Sequence, residues 1–282
     1  MTDHTAEAPV AAPATRAPRR AGWAALRRSV VARRVVVLAT LALLWQLAAT
    51  FTASPLLLPS FTQTIAALWD GLLHENLAAA TAASLGVLIK GYLLALFLGL
   101  VFVSLATANA LCREALITLT AMFNPLPAIA LLPLAMLWFG LGETSLIFVL
   151  VHSVLWPFAL ATFTGFQSVP ETHRLVGRNY GLTGARYVGY ILIPSALPSI
   201  LSGLKIGWAF AWRTLIAAEL VFGVSASQGG LGWFIFRNRN ELFTDKVFAG
   251  LIMVILIGLV VEFGLFRAIE AATVRRWGMQ RG

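Results

Sequence analysis

The residues with chemistry to offer are ionisable side chains set inside otherwise apolar stretches. Lys90, Lys205, Arg213, Glu219 and Glu262 lie within such runs, together with His152. A charge at mid-bilayer costs about 2.5–3.5 kcal/mol on insertion scales, so each needs a compensating role: an ion pair, a solute path or a proton relay. Lys90 and Lys205 fall near the ends of their runs, where a long stem carries the ammonium to the interface. Arg213 lies near the middle of its run and has no such exit. Glu219, six residues on, is turned about 120° from it on a helix. That leaves Arg213 two uses: a buried ion pair with Glu262 of the following run, or a place in a pathway where it attracts an anion. Glu219 and His152 are the other pathway candidates, with helix packing the simpler use of His152.

Other chemistries lack their residues. Cys112 is the single cysteine, so no internal disulfide forms. His4, His74, His152 and His173 fall in separate segments, and no metal site is expected from them. No Gly-Lys dipeptide occurs, which excludes a P-loop. A membrane-embedded enzyme would need His, Asp or Cys clustered at one depth, and a secondary transporter would need coupling carboxylates and inverted repeats. The sequence shows neither plainly. The expectation is a chain that is not an enzyme and carries no cofactor.

These side chains need elements to hold them, and composition says which kind. Of 282 residues, 59% are hydrophobic and 12% charged, with mean hydropathy +0.82. Soluble domains carry about a quarter charged residues, so a water-exposed globule is excluded and an integral membrane protein remains. Runs of about 20 apolar residues cross a bilayer. They fall at 35–53, 85–105, 115–139, 144–166, 198–222 and 247–268. The fold class expected is therefore all-α with six transmembrane helices. Fourteen Lys and Arg lie in 1–34, 106–114, 168–190 and 271–282, against three in the alternate loops. That asymmetry places both termini in the cytoplasm. It also explains the net charge of +9 as a collar on the membrane face, with no nucleic acid required.

The organisation expected is a disordered basic tail over 1–34, then a first span with an outer interfacial helix over 35–84. A core of five spans follows over 85–270, with a cytoplasmic loop at 168–193, and a second tail over 271–282. Ser60-Phe61-Thr62-Gln63 has capping-box form, and Phe61, Ile65, Leu68, Trp69 and Leu72 recur at helical spacing, which predicts the interfacial helix. Pro125, Pro127 and Pro133 are expected to kink or break the third span. Gly203 and Gly207 form a small-residue packing face. The outer loop 225–246 carries Trp233-Phe234-Ile235-Phe236, expected as an aromatic belt. Arg237, Arg239, Glu241 and Asp245 follow, either as a candidate polar rim for docking an outside partner or as a plainly solvated turn.

The 168–193 loop reads as a helix, a break and a second helix. Gly181 is placed to end the first, Thr183 to cap the second, and Pro194 to stop it. Leu175, Val176 and Tyr180 give it an apolar face among Arg174, Arg178 and Arg186. An elbow of this kind packs under its own bundle or fits a groove on a soluble partner.

In this loop the sequence resembles the inner-membrane permease subunits of bacterial ATP-binding-cassette importers. Their signature has the form E-A-A-x3-G-x9-I-x-L-P. Gly181, Ile191 and Pro194 match it in spacing, Ile193 replaces the leucine, and Leu175-Val176-Gly177 stands in place of Glu-Ala-Ala. The run from Asn124-Pro125-Leu126-Pro127 to Trp138-Phe139-Gly140-Leu141-Gly142-Glu143 is similar to the nitrate, sulfonate and taurine permeases. So are Ala217-Ala218-Glu219, Gly230-Leu231-Gly232 and Thr244-Asp245. The resemblance covers about residues 55–270. It implies a type I importer permease in the bacterial inner membrane, embedded in lipid and working as a homodimer. It implies cytoplasmic ATPase subunits docked through Arg174, Arg178, Gly181, Arg186, Ile191 and Pro194, and a binding protein that delivers a small anion from outside. A pyrimidine precursor or an aromatic carboxylate is the alternative solute.

Overall fold

The computed structural model describes residues 30–52, 54–222 and 229–275, which form helices and connecting turns without a strand. The tail expected over 1–34 lies outside the described residues as far as 29. From Val30 the chain is already helical in α1 (Val30–Thr52), and the Arg34 guanidinium stacks over the Phe263 ring at 5.0 Å. Helix α2 (Phe61–Leu73) follows, and its capping box is present: the Ser60 hydroxyl accepts from Gln63 N–H and the Gln63 side chain accepts from Ser60 N–H. Trp45 of α1 donates its indole N–H to the Pro59 carbonyl and packs on Phe61 and Phe248, each 5.6 Å between ring centroids. One aromatic side chain thus fixes α1 to α2 and to the last long helix.

The core is built from α3 (Leu77–Ala108), α6 (Glu143–Gln167) and α9 (Leu197–Phe222). Gly91 abuts Leu150 and Gly99 abuts Phe158, so α3 and α6 run parallel. Gly203 meets Ala161 and Phe158, and Gly207 meets Val154, so α9 runs antiparallel to α6. Lipid is as apolar as leucine and gives these helices no hydrophobic reason to associate; close packing over small residues does. The Gly203–Gly207 face is used inside the subunit. Phe158, Leu88, Leu150 and Leu215 are fully buried there, and truncating Phe158 to alanine costs about 3–5 kcal/mol.

Among the described residues, four helices are long and apolar enough to cross a membrane, or six if each of two bent pairs counts as one span. The expected third span is not continuous. Helix α4 (Ala110–Phe123) ends before Pro125, a 3₁₀ turn covers Ala128–Leu131, and α5 (Leu132–Phe139) leaves at 91°. Pro125 and Pro127 break the chain, whereas Pro133 sits in the first turn of α5, where its missing N–H costs nothing. After α6 comes α7 (Glu171–Asn179), then α8 (Gly184–Tyr187), which passes through a π turn at Val188–Leu192 to Ser195. The chain then bends by 81° into α9. Pro194 does not stop the second segment; it lies in the closing helical turn Ile193–Ser195, and the bend follows it.

Residues 231–240, expected within a surface loop, form α10 (Leu231–Asn240). Leu231, Phe234, Ile235 and Asn238 are buried, so this stretch packs into the bundle and only part of its aromatic surface is available as a belt. Helix α11 (Thr244–Val260) continues through π and α turns to Arg275, so the tail expected from 271 begins as helix.

Candidate functional site

Arg213 on α9 does not pair with Glu262. Trp212 donates its indole N–H to the Val254 carbonyl at 3.1 Å, which sets the depth of α9 against α11. Eight residues separate Val254 from Glu262, about 12 Å along a helix. Glu262 accordingly lies near Lys205, at 3.9 Å, and Lys205 makes its close contact with Glu270 at 2.5 Å. Lys90 pairs with Glu143 at 2.6 Å. Both lysines are therefore held by carboxylates of neighbouring helices.

Arg213 instead lines a cavity of about 350 Å³. Its Nε donates to the Ala209 carbonyl at 3.0 Å and its guanidinium lies over the Phe210 ring at 5.0 Å. Among the described residues no carboxylate comes within ion-pair distance of it. The break between α4 and α5 supplies one wall, Phe123 to Ile129; α6 supplies His152, Ser153, Trp156 and Pro157; α9 supplies Phe210, Thr214 and Ala217. Irregular backbone at membrane depth is tolerated where it lines such a space. Phe123 stacks on Trp156 with ring centroids 5.1 Å apart and meets His152 edge-on at 5.9 Å. Both imidazole nitrogens of His152 and the indole nitrogen of Trp156 are buried without a hydrogen-bond partner among the described residues. The structure thus brings Arg213 and His152 together. Phe210, three residues before Arg213, was not singled out from the sequence, although helical spacing places it beside the arginine; Phe123 and Trp156 needed the fold.

Glu219, the third pathway candidate, lies elsewhere. It is 3% exposed and sits at the N-terminus of α10. The Ser84 hydroxyl of α3 lies 2.8 Å from both carboxylate oxygens, and Gly232 N–H donates to Oε2 at 2.8 Å. Ser84 Oγ in turn accepts from Leu231 N–H at 2.8 Å. The first N–H groups of a helix have no intrahelical acceptor. Here side chains from two other helices accept them, and the carboxylate also meets the positive end of the α10 dipole. A Cβ at Gly230 or Gly232 would overlap Glu219, so both glycines are required by the close approach. Ser84 carried no sequence signal.

The elbow between α6 and α9 is the expected helix, break and second helix, ended at Gly181 as expected but not capped by Thr183 or stopped by Pro194. Gly181 has φ +66°, Gly181 N–H donates to the Arg178 carbonyl and Leu182 N–H to the Gly177 carbonyl, and together they complete a Schellman stop. Thr183 occupies the cap position of α8, but its side chain makes no capping bond. Gly177 is buried where a Cβ would strike Ile191 and Tyr187, so the small residue that ends the degenerate Leu175-Val176-Gly177 triplet is held by packing. Arg174 donates to the Phe166 and Val169 carbonyls, at 2.6 and 3.2 Å, tying α7 to the C-terminal end of α6. Arg178 approaches Glu171 at 3.8 Å, and Arg186 is exposed. Leu175, Val176, Tyr180 and Tyr190 are exposed, Tyr180 by 81%. The elbow is braced from within and presents apolar side chains among exposed charges without.

At the end of α10, Arg237 lies 3.9 Å from Glu241, Arg239 is exposed, and Asp245 accepts from Lys246 N–H. Lys246 also bonds Glu75 at 2.5 Å. These residues gather at one turn, as the sequence order requires.

With this geometry in view, similarity to known proteins is specific. The chain is 31% identical to the taurine transport system permease protein TauC of Escherichia coli (strain K12), over 89% of this chain and 92% of that protein. It is 34% identical to the putative ABC transporter permease protein MJ0413 of Methanocaldococcus jannaschii, over 79% and 84%. It is 29% identical to the nitrate import permease protein NrtB of Synechocystis, over 82% and 86%. Residues 91–273, which contain most of the core, the elbow and the cavity, match the family described as the binding-protein-dependent transport system inner membrane component. The chain belongs to that family, as an ABC importer permease of the nitrate, sulfonate and taurine type.

Proposed function

We propose that this permease carries a small anion, of the sulfonate, taurine or nitrate kind, across the inner membrane in two copies that share one pathway. In this reading both termini are cytoplasmic and each bent pair of helices makes one span, giving six. A binding protein outside delivers the solute to the rim around Arg237, Arg239, Glu241 and Asp245. ATPase subunits inside seat on the exposed face of the elbow, whose Arg174 brace and 81° bend transmit their movement to α6 and α9. ATP hydrolysis belongs to those subunits.

The observation that carries the anion reading is Arg213: a guanidinium in a cavity wall, deep in its helix, with no carboxylate among the described residues to neutralise it. A guanidinium fork binds planar or tetrahedral oxyanions in two-point fashion. In proteoliposomes holding the permease, its ATPase and its binding protein, Arg213→Ala is expected to cut anion uptake at least ten-fold while the complex still assembles, with partial retention in Arg213→Lys. Normal uptake of every anion tested in Arg213→Ala would exclude the role.

A further inference from the structure

We infer that the Arg213 cavity is a recognition site on the permease itself, and that it selects monoanions bearing an apolar body over bare inorganic oxyanions. The inference rests on the reading that this cavity lies on the solute's path and adds a filter there, independent of any binding protein. Three observations carry it.

Size is the first. A water molecule's share of liquid volume is about 30 Å³, so a cavity near 350 Å³ holds roughly ten waters. That is far more room than one inorganic oxyanion fills, and it falls at the lower end of small-molecule pockets. The second is charge count. Among the described residues Arg213 is the one Lys, Arg, Asp or Glu in the wall, enough to balance one negative charge and too little to replace the full water shell of a strongly hydrated ion, whose desolvation is costly. The third is the rest of the lining. Phe123, Trp156 and Phe210 present aromatic surface beside that guanidinium, and Pro125 and Ala128 add aliphatic surface. An anion with an alkyl or aryl body places its head on Arg213 and its body on this wall. The His152 and Trp156 nitrogens, buried without a partner among the described residues, stand next to it, and rotation of either ring gives a head-group oxygen a further N–H donor.

The test is equilibrium binding to the purified permease in lipid nanodiscs, with no binding protein present, titrating sodium 1-butanesulfonate and sodium nitrate at matched ionic strength. Tryptophan emission reports occupancy, because Trp156 forms part of the wall. Saturable butanesulfonate binding is expected, with nitrate at least ten-fold weaker. Arg213→Ala should weaken butanesulfonate at least ten-fold. Phe210→Ala, at a half-exposed position outside the packed core, should bring the two anions within about three-fold of one another. Nitrate binding as tightly as butanesulfonate, both dependent on Arg213, would overturn the selectivity while leaving the cavity on the path. Butanesulfonate selectivity that survives Phe210→Ala unchanged would overturn the aromatic wall as its source. Absence of Arg213-dependent binding by either anion, in variants that retain wild-type size-exclusion profiles, would overturn the site and the path reading together.

Discussion

Glu219 offers the sharpest quantitative check on how the bundle is held. Its carboxylate is buried and receives Gly232 N–H directly and the Ser84 hydroxyl, which itself accepts from Leu231 N–H. Replacement by alanine leaves the Gly232 donor and the Ser84 hydrogen without their acceptor, each about 1–3 kcal/mol when buried, and opens a void besides. Glu219→Gln keeps the shape: with its carbonyl in the place of Oε2 it still accepts from Gly232 N–H. Its amide N–H can donate to the Ser84 oxygen, which lies 2.8 Å from both carboxylate positions, so this change should cost under about 1 kcal/mol. Ser84→Ala strands Leu231 N–H for about 1–3 kcal/mol. Because Ser84→Ala removes the hydroxyl hydrogen that Glu219→Ala leaves without an acceptor, the double variant Ser84→Ala/Glu219→Ala should cost less than the sum of the single changes. The assay is thermal unfolding of the purified permease in detergent. At about 2–4 °C per kcal/mol for a chain of this size class, Glu219→Ala should lower Tm by roughly 4–24 °C and Glu219→Gln by less. A Glu219→Ala protein that unfolds at the wild-type temperature, or additive single and double changes, would refute the shared-cap reasoning.

Other perturbations follow from the elbow. Gly177→Leu drives a side chain into Ile191 and Tyr187; the two arms should separate, and co-purification of the ATPase subunit should fall at least ten-fold while membrane insertion is kept. Gly181→Ala imposes a left-handed conformation that costs about 1 kcal/mol, so a modest loss of coupled ATPase activity is expected. Arg174→Ala releases the Phe166 and Val169 carbonyls at the end of α6. It should lower Tm by about 2–6 °C and uncouple ATP hydrolysis from uptake more than Arg178→Ala, whose contact with Glu171 is exposed.

Much of the fold was legible because its signals are local. The capping box at Ser60 and Gln63, the stop at Gly181 and the apolar runs of α1, α3, α6, α9 and α11 each depend on residues within a turn or two. What the sequence hid depends on pairing between distant segments. Charge spacing alone made Glu262 a partner for Arg213; the antiparallel seating of α9 on α11 gives it to Lys205 instead. Glycines and mixed polarity made 231–240 read as a loop, yet Ser84 and Glu219 supply from other helices the cap that α10 lacks in its own sequence. Three prolines signalled a break in the third run without giving its 91° angle. The cavity was half visible: Arg213 and His152 were singled out by type and depth, and the aromatic lining from α4 and α6 emerges only when those helices meet α9.

The claim on which the proposed mechanism depends is that the elbow receives force from an ATPase subunit. Cys112 is the single cysteine, so Cys112→Ser with Tyr180→Cys gives one reactive thiol at the most exposed tyrosine of the elbow. In an active complex carrying this pair, a maleimide–benzophenone reagent attached to the residue 180 thiol is expected to join it on illumination, by C–H insertion, to the ATPase subunit, and a membrane-impermeant maleimide to label it only from the cytoplasmic side. Labelling from outside in intact cells, or no cross-link in a complex that still transports, would contradict the account.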